Sequence, residues 1–585
     1  MGLIDWGVIV IYFVIIAIIG LSYYKRASSG LEDYFVSGRK LSWWIAGTSM
    51  VATTFAADTP LAVTGLTISD GISGNWVWWS MALTGMLTVI FFSKMWRRSR
   101  ILTDVEFTEL RYSGKPAAFL RGFRSIYLGV LINVIIMGGF VTVAMIKIVQ
   151  YVIFNGAALT LTQKFLVVGI SFLIAALYST VSGLWGVVVT DFIQFILAML
   201  GSIALAFVSV SKAGGISNIT KKITASQPDL LNLFPDWGSS AFIVVVVFLT
   251  VQWWASWYPG AEPGGGGYSA QRMFSCKDER HSFLSTLWFA IAHYAVRPWP
   301  WILTALSAYV LFGKTADPES MYPMMINQYM PIGLKGLMMT AFFAAYMSTI
   351  TTHLNWGASY VINDFYKRFL AQNKTEKHYV SASRWVTIGL MFISVIPALY
   401  FDSIKDAWIY ILTIGAGTGL VLILRWFWKR INAFSEISAM AASFIISTVL
   451  ILLNKFGGIK FTAHATLNDA VTLMITVGFT TIAWIIVTLV TKPESDEFLL
   501  AFYKKVKPVG VVFKPANREG YISGKRILPD IFRWLLGCVM IYAFLFGAGK
   551  VILGITFLNI LLGIGLITLG ALIFIYFFRY SKKNA

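Results

Sequence analysis

The stretch ATTFAADTP, from Ala52 to Pro60, lies in the middle of the apolar segment 41–66. Pro60 has no amide to bond the carbonyl of Ala56, and its ring clashes with that turn, so a continuous helix is disfavoured here. The segment itself is long enough to cross a bilayer, which takes about 20 mostly apolar residues. The sequence therefore predicts a membrane helix that is broken near its middle.

A second interruption lies five spans further along the chain. The apolar segment 239–271 is longer than one crossing needs, and it contains WYPGAEP from Trp257 to Pro263 and then four glycines, Gly264 to Gly267. Unwound backbone at membrane depth is tolerated only where it lines a cavity or is buried in protein. Paired broken helices at corresponding positions are typical of inverted-repeat transporters with a central binding site.

The composition agrees with a membrane protein. Of the 585 residues, 57% are hydrophobic and only 13% are charged, whereas soluble proteins carry about 25% charged residues. This excludes a soluble globular enzyme, a disordered chain and a disulfide scaffold. The two cysteines, Cys276 and Cys538, have no metal-ligand spacing, so no zinc site or disulfide framework is indicated. In a membrane chain the net charge of +20 indicates cytoplasmic loops, and no nucleic-acid partner is predicted.

The hydrophobic pattern predicts an all-α polytopic protein with about fifteen transmembrane helices. The first is not a cleaved signal peptide, because it lacks a basic start and a small-residue cleavage site. The candidate spans are 6–24, 41–66, 73–95, 123–152, 162–182, 186–211, 239–271, 281–312, 332–366, 379–400, 405–427, 433–454, 466–491, 529–548 and 551–578.

The distribution of Lys and Arg predicts the orientation. With the N-terminus outside, cytoplasmic segments and the adjoining span ends hold 34 of the 47 basic residues. Cytoplasmic loops of membrane proteins carry this excess of positive charge, so the N-terminus is expected outside and the C-terminus inside. An odd number of crossings is required for that arrangement, as fifteen is.

The spans divide the chain into five regions. The longest extramembrane part is a basic cytoplasmic loop, which we interpret as an orientation signal in contact with anionic lipid. The regions are an accessory helix and loop (1–40), the transport core (41–430), accessory helices (431–492), the basic loop (493–528) and two extra C-terminal helices for packing or oligomer contact (529–585).

Four stretches resemble the sodium/solute symporter family, which includes bacterial sodium-coupled galactose, proline and sialic acid transporters. With the span pattern, the resemblance covers about residues 5–430. It implies a five-plus-five inverted-repeat core, as in the leucine transporter, and it implies sodium as the coupling ion. The stretches are SGRKLSWW (Ser37–Trp44) running into Gly47-Thr48-Ser49; Ser182-Gly183-Leu184 with TDFIQ (Thr190–Gln194); Gln271-Arg272 with Lys277; and AAYMST (Ala344–Thr349) with Asn355 and Asp364.

The resemblance also implies a sodium site between the first broken helix and span 332–366. Sodium is a hard cation that prefers oxygen ligands, which a broken helix and facing hydroxyls supply. Alternatively, the hydroxyls of Ser348 and Thr349 donate hydrogen bonds to carbonyls of their own helix. The implied ligands are the carbonyls of Ala52, Phe55 and Ala345 and the hydroxyls of Ser348 and Thr349.

A second cation site is predicted around Asp191, a carboxylate within a span, where charge is expensive and usually functional. Some family members place a second sodium among an aspartate and hydroxyls at these positions. Here Ser348, Thr351 and Thr352 can share one helix face. The alternative is that Asp191 organises the inner gate through hydrogen bonds.

The substrate site is predicted from polar and aromatic residues near the two breaks. Carboxylates with aromatic faces suit a hydroxyl-rich or cationic ligand. The alternatives are structural: Arg297 pairs with a buried acid, His293 is a hydrogen-bonded core residue, Glu262 organises its own loop and the tryptophans form interfacial belts. The candidates are Thr54, Asp58, Trp78, Trp257, Glu262, His293 and Arg297.

The sequence thus favours a sodium-coupled symporter that imports a small polar organic solute across the plasma membrane, which is the inner membrane in a bacterium. A proton-coupled symporter of the same fold is the first alternative. A membrane-embedded enzyme or a non-transporting sensor is disfavoured, because no nucleophile lies beside a base and no signalling domain is evident. No Walker A motif or other cofactor site is present. The solute, the sodium stoichiometry and the oligomeric state are left open.

Overall fold

The computed structural model of the protein describes residues 1–27, 30–257, 267–401, 404–456, 458, 460–462, 465–511, 527–554 and 556–583. Throughout these ranges the regular structure is helical. The β-structure among them is a single parallel bridge between Leu41 and Cys276. The predicted all-α class is confirmed for this part of the chain.

The described ranges contain 28 α-helices. They are α1 (Leu3–Ala27), α2 (Leu31–Val36), α3 (Trp43–Phe55), α4 (Asp58–Asp70), α5 (Trp76–Trp79), α6 (Ala82–Leu87), α7 (Ser93–Ser99), α8 (Phe107–Arg111), α9 (Gly114–Ile126), α10 (Asn133–Ile136), α11 (Val143–Val152), α12 (Leu161–Lys212), α13 (Ile216–Ser226), α14 (Ser240–Val247), α15 (Trp253–Ala255), α16 (Tyr268–Ser275), α17 (Glu279–Ile291), α18 (Pro298–Phe312), α19 (Met321–Tyr329), α20 (Leu334–Ser359), α21 (Glu376–Tyr400), α22 (Ile404–Ile414), α23 (Gly419–Leu424), α24 (Ala433–Phe456), α25 (Ala465–Val490), α26 (Asp496–Val506), α27 (Leu528–Leu553) and α28 (Phe557–Lys583).

Several of these helices are joined by wider π-helical turns, which in other proteins often mark functional sites. Two of them, Met137–Thr142 and Ala292–Val296, contribute side chains to the cavity described below. The π-helical segments are Thr88–Phe92, Tyr127–Ile132, Met137–Thr142, Phe248–Gln252, Ala292–Val296 and Tyr360–Leu370, and the 3₁₀ turns are Ser37–Arg39, Ile72–Asn75, Pro228–Leu231 and Pro318–Ser320.

The break predicted in the first core helix is confirmed. Helix α3 ends at Phe55, Ala56 leaves helical geometry with φ 19° and ψ 160°, and α4 begins at Asp58. Pro60 is the third residue of α4, where the amide that it lacks has no partner within the helix. The same proline that prevents a continuous helix is therefore compatible with the start of a new one.

The second break lies partly outside the described residues. Helix α15 ends at Ala255 and α16 begins at Tyr268. The residues at the centre of the predicted interruption, 258–266, are outside the described ranges, and Glu262 is among them.

The boundary predicted between spans 162–182 and 186–211 differs from the helix bounds in the structure. The sequence predicts two spans that separate at residues 183–185, whereas α12 continues as one helix from Leu161 to Lys212. A single glycine, Gly183, lowers helix propensity by only about 1 kcal/mol, and no proline follows it. Eight helices in the described ranges are long and apolar enough to cross a membrane, and three shorter apolar helices accompany them. The count of about fifteen crossings and their orientation stay predictions.

The centre of the molecule is built from α3, α12 and α20. Helix α12 packs along α20, and both contact α1 and α3. Helix α18 packs against α4 and α12, so the two halves of the broken helix meet different partners. This arrangement brings the break between α3 and α4 beside α20 and beside the π-helical segment Ala292–Val296.

Candidate functional site

A cavity of about 870 Å³, counted with its open mouth, lies at the break between α3 and α4. Five of the seven predicted substrate residues line it, although they come from three separate stretches of the chain. These five are Thr54, Asp58, Trp78, His293 and Arg297.

Asp58, the first residue of α4, is buried in the wall of this cavity. Its Oδ2 accepts a hydrogen bond from the indole Nε1 of Trp408 at 3.0 Å. Its Oδ1 is buried and has no hydrogen-bond partner among the described residues. The indole therefore orients the carboxylate and leaves one oxygen open.

Thr54, His293 and Arg297 form a buried cluster at the end of α3. Arg297 Nη1 donates to Thr54 Oγ1 at 2.9 Å, and Nη2 lies 2.5 Å from His293 Nδ1. A guanidinium can only donate, so Nδ1 accepts and the imidazole proton is on Nε2. The guanidinium also lies over the ring of Trp301, 5.4 Å from its centroid. This cluster places one positive charge in the cavity wall and keeps His293 neutral.

Aromatic side chains supply the apolar part of the wall. Trp78 meets His293 edge to face at 5.7 Å between centroids, and it stacks on Tyr294 at 6.2 Å. Phe140 meets Trp408 edge to face at 6.5 Å. These rings offer flat surfaces to a ligand held between the polar clusters.

The residues predicted for the first sodium site lie at the same break. The single hydroxyl proton of Thr349 faces two carbonyl oxygens, that of Thr53 on α3 at 2.7 Å and that of Ala345 on its own helix at 3.1 Å. Ser348 Oγ donates instead to Asp191 Oδ1 at 2.7 Å. The hydroxyl of Thr349 thus bridges α20 and the broken helix. All five predicted ligands are buried: Ala52, Phe55, Ala345, Ser348 and Thr349.

Asp191 is the centre of a second buried network. Its Oδ2 accepts a 2.5 Å hydrogen bond from Ser49 Oγ and lies 3.6 Å from Arg272 Nη2. Arg272 also donates to Thr352 Oγ1 at 2.8 Å, and Thr352 Oγ1 lies 3.1 Å from Thr53 Oγ1. Four helices, α3, α12, α16 and α20, therefore meet in one polar cluster with a paired charge.

Three predicted site residues lie elsewhere or outside the described ranges. Trp257 does not line the cavity: it follows the end of α15 and packs in an apolar cluster, with its ring 6.2 Å from that of Phe92. Thr351 Oγ1 donates to the carbonyl of Met347 on its own helix at 2.7 Å. Glu262 lies outside the described residues.

Sequence reasoning missed several residues of these sites. His353 follows Thr349 by one turn and also lines the cavity, so helical spacing was a signal that could have found it. Trp408 is 350 positions from Asp58, and no local pattern connects the two. Arg272 was noted as part of a motif, but its pairing with Asp191 depends on how α12 and α16 pack.

An all-helical membrane protein with a cavity at an interrupted helix is typical of the class of secondary transporters. The chain belongs to the sodium:solute symporter family, whose model matches residues 34–445. It is accordingly a multi-pass membrane protein of a family of sodium-coupled transporters, not an enzyme.

Relatives and solved structures agree with this assignment. The sodium/glucose cotransporter of Vibrio parahaemolyticus is 26% identical over 76% of this chain and 84% of its own. The sodium/myo-inositol cotransporter 2 of Oryctolagus cuniculus is 23% identical over 77% of this chain and 70% of its own. The outward-open structure of a Na⁺-coupled sialic acid symporter is 22% identical and covers 84% of this chain and 99% of its own, with a TM-score of 0.67. The chain shares the fold of that structure.

Proposed function

We propose that this protein imports a small polar organic solute together with sodium by alternating access. The observation that carries the proposal is the cavity at the break between α3 and α4, where Asp58, Arg297 and aromatic rings converge beside the hydroxyl of Thr349. A solute in the cavity and a cation at the break would share the same two helices. Binding of one can therefore favour the conformation that binds the other, as coupling requires.

Sodium binds, in this proposal, to the carbonyls of Ala52, Phe55 and Ala345 and to the hydroxyls of Ser348 and Thr349. The contact from Thr349 Oγ1 to the Thr53 carbonyl supports this, because it brings α20 to the unwound turn. A hydroxyl has one proton and two lone pairs. Ser348 can therefore keep its hydrogen bond to Asp191 and still offer an oxygen to the ion.

For Asp191 we propose the gate role and a single sodium per cycle. Arg272 already neutralises this carboxylate. Because the carboxylate is already paired with a guanidinium, a second sodium ion at this place would gain little net electrostatic attraction. A polar cluster connects α3, α12, α16 and α20, and it consists of Asp191, Ser49, Arg272 and Thr352. Any movement of α3 away from α12 would therefore break contacts within this cluster.

Uptake into proteoliposomes tests the proposal. The purified protein is reconstituted, and radiolabelled sugars, polyols, amino acids and carboxylates are supplied under an inward sodium gradient, an inward proton gradient or neither. We expect accumulation of one solute class under the sodium gradient, and its loss when sodium is replaced by choline. Accumulation driven by protons without sodium would identify the proton-coupled alternative. Solute-independent sodium binding without any uptake would contradict transport.

A further inference from the structure

Three buried arginines share one carboxylate where α8, α9, α23 and α24 meet. Arg124 and Arg425 both pair with Glu436, at 2.7 and 3.1 Å, and Tyr112 donates to the same carboxylate at 2.6 Å. Arg111 donates to the carbonyl of Arg425 at 2.7 Å and forms no ion pair among the described residues. The three arginines are at most 2% exposed. The cluster therefore carries buried positive charge in excess, which is costly unless an anion compensates it.

The guanidinium of Arg425 has unmatched donors on one edge. Nη1 donates to both oxygens of Glu436, at 3.1 and 3.3 Å, whereas Nε and Nη2 are buried and have no hydrogen-bond partner among the described residues. These two nitrogens form the side edge of the guanidinium, whose parallel N–H groups match two oxygens of a carboxylate or a phosphate. The ring of Phe107, with its centroid 4.4 Å from Arg425 Cζ, covers the face of the group and leaves this edge unmatched.

The same edge is matched in other arginines of this chain. Arg98 directs Nε and Nη2 to the two oxygens of Glu279, at 2.8 and 2.7 Å. Arg121 directs the same two nitrogens to Asp364, each at 2.7 Å. Among the described residues, Arg425 has no acidic partner on this edge. Buried donors of a charged group that stay unmatched cost free energy, so a ligand that supplies two oxygens would stabilise them.

We propose that Arg425 Nε and Nη2 bind a phosphate group, which belongs to inorganic phosphate or to an anionic phospholipid. The excess positive charge favours an anion, and two parallel donors favour an oxyanion over a chloride ion. Arg111 Nη1, another buried donor without a partner among the described residues, belongs to the same cluster. Neither arginine lines the cavity at the break between α3 and α4, so this site is separate from the one described above.

The location of the cluster agrees with both sources of phosphate. Arg111, Arg124 and Arg425 lie in segments that the distribution of charge predicts to face the cytoplasm, where inorganic phosphate and the headgroups of anionic lipids are present. Because the donors are buried, we expect the group to be held tightly and to remain bound during purification.

Native mass spectrometry of the wild-type protein is the first test. The protein is purified in detergent without added phosphate or sulfate. We expect a population that carries one bound group, whose mass identifies either inorganic phosphate or a phospholipid. The bound group is then removed by detergent exchange, and inorganic phosphate or phosphatidylglycerol is titrated back while the melting temperature is measured. One of these two probes should raise the melting temperature in a saturable way.

Arg425→Lys tests the residue. Lysine keeps the positive charge beside Glu436, but its single nitrogen cannot make two parallel hydrogen bonds. The apparent affinity for the stabilising probe should fall at least about tenfold. Arg98→Lys is the matched control, because it is the same substitution at an arginine whose side edge is already matched by Glu279. It should keep the wild-type affinity.

Three results would overturn the inference. They are a wild-type protein that carries no phosphate-containing group and is stabilised by neither probe, equal affinities in wild type and Arg425→Lys, and stabilisation by chloride equal to that by the phosphate probes. None of these measurements uses solute uptake, so they leave the symport proposal untouched.

Discussion

Ser348 and Thr349 are adjacent in the sequence but contact different neighbours. Ser348 donates to Asp191 on α12, and Thr349 donates to the carbonyl of Thr53 on α3. Consecutive residues on an α-helix point about 100° apart, because one turn takes 3.6 residues. Ser348 and Thr349 therefore connect α20 to both α12 and α3. The affinity for a cation held by both oxygens would depend on the positions of these two helices.

Replacing both residues, in Ser348→Ala/Thr349→Ala, should raise the sodium concentration for half-maximal uptake at least about tenfold, because two of five proposed ligands are lost. Sodium titration of uptake measures this. The matched control is Thr387→Ala/Ser394→Ala on α21, which removes two buried hydroxyls that donate to carbonyls of their own helix. Wild-type sodium activation in the first double variant would contradict the site.

Asp191→Asn should leave the Hill coefficient for sodium near one, because the carboxylate pairs with Arg272 in the gate that we propose. Removing one partner of a buried ion pair costs about 3–5 kcal/mol, so thermal stability should fall clearly. Asp191→Asn/Arg272→Gln should recover part of that stability, since no unpaired charge remains. A fall in the Hill coefficient from two to one in an active single variant would instead establish a second sodium at Asp191.

At the scale of elements, α27, the first of the two C-terminal helices, packs on the parts of the chain that carry the cavity wall. It contacts the π-helical segment Ala292–Val296 and α6. Trp299 Nε1 donates to the carbonyl of Leu545 at 3.0 Å, and Tyr542 donates to the carbonyl of Trp79 at 3.1 Å. Although α27 lies beyond residues 34–445, which the family model matches, its position supports the helices around His293 and Trp78.

Gly549→Ala should destabilise this contact. A Cβ at Gly549 would overlap a ring carbon of Trp299, so the indole or the helix must move. Overpacking of this kind costs about 1–3 kcal/mol, which should appear as a lower melting temperature of the purified protein in detergent.

Gly565→Ala on α28 is the control for this substitution, because a Cβ there meets nothing within 4 Å. Its melting temperature should equal or exceed that of wild type, since alanine favours a helix over glycine. Equal melting temperatures for Gly549→Ala and Gly565→Ala would mean that α27 is not held closely against α18.

At the scale of the whole molecule, the distribution of charge predicts which side faces the cytoplasm. Trp237 lies in the predicted outer segment between α13 and α14 and is 88% exposed. Lys505 on α26 lies in the basic region predicted to be cytoplasmic. Both native cysteines are buried, so a cysteine introduced at either position gives the accessible thiol for labelling.

Trp237→Cys should react with a membrane-impermeant maleimide in intact cells. Lys505→Cys should react only after the membrane is permeabilised, because the positive-inside rule places it in the cytoplasm. Labelling of both variants after permeabilisation is the control for accessibility. The reverse pattern in intact cells would invert the predicted topology.

The sequence by itself determined the local features. Pro60 was sufficient to predict the break between Phe55 and Asp58, because a missing amide and a steric clash act within one turn. Hydropathy and charge were sufficient to predict a helical membrane protein, because they reflect transfer of each segment into lipid. The separation predicted at residues 183–185 falls within α12, and the number of crossings in this part of the chain stays a prediction.

The tertiary structure alone decided which distant groups meet. Trp408 orients Asp58, and Arg272 neutralises Asp191, although each pair is separated by many residues. Trp257, predicted as a substrate contact from its place near the second break, packs beside Phe92, and no local pattern indicated that contact. Helical periodicity specifies the face on which a side chain lies, whereas its partner depends on how whole helices pack, and that is a property of the assembled core.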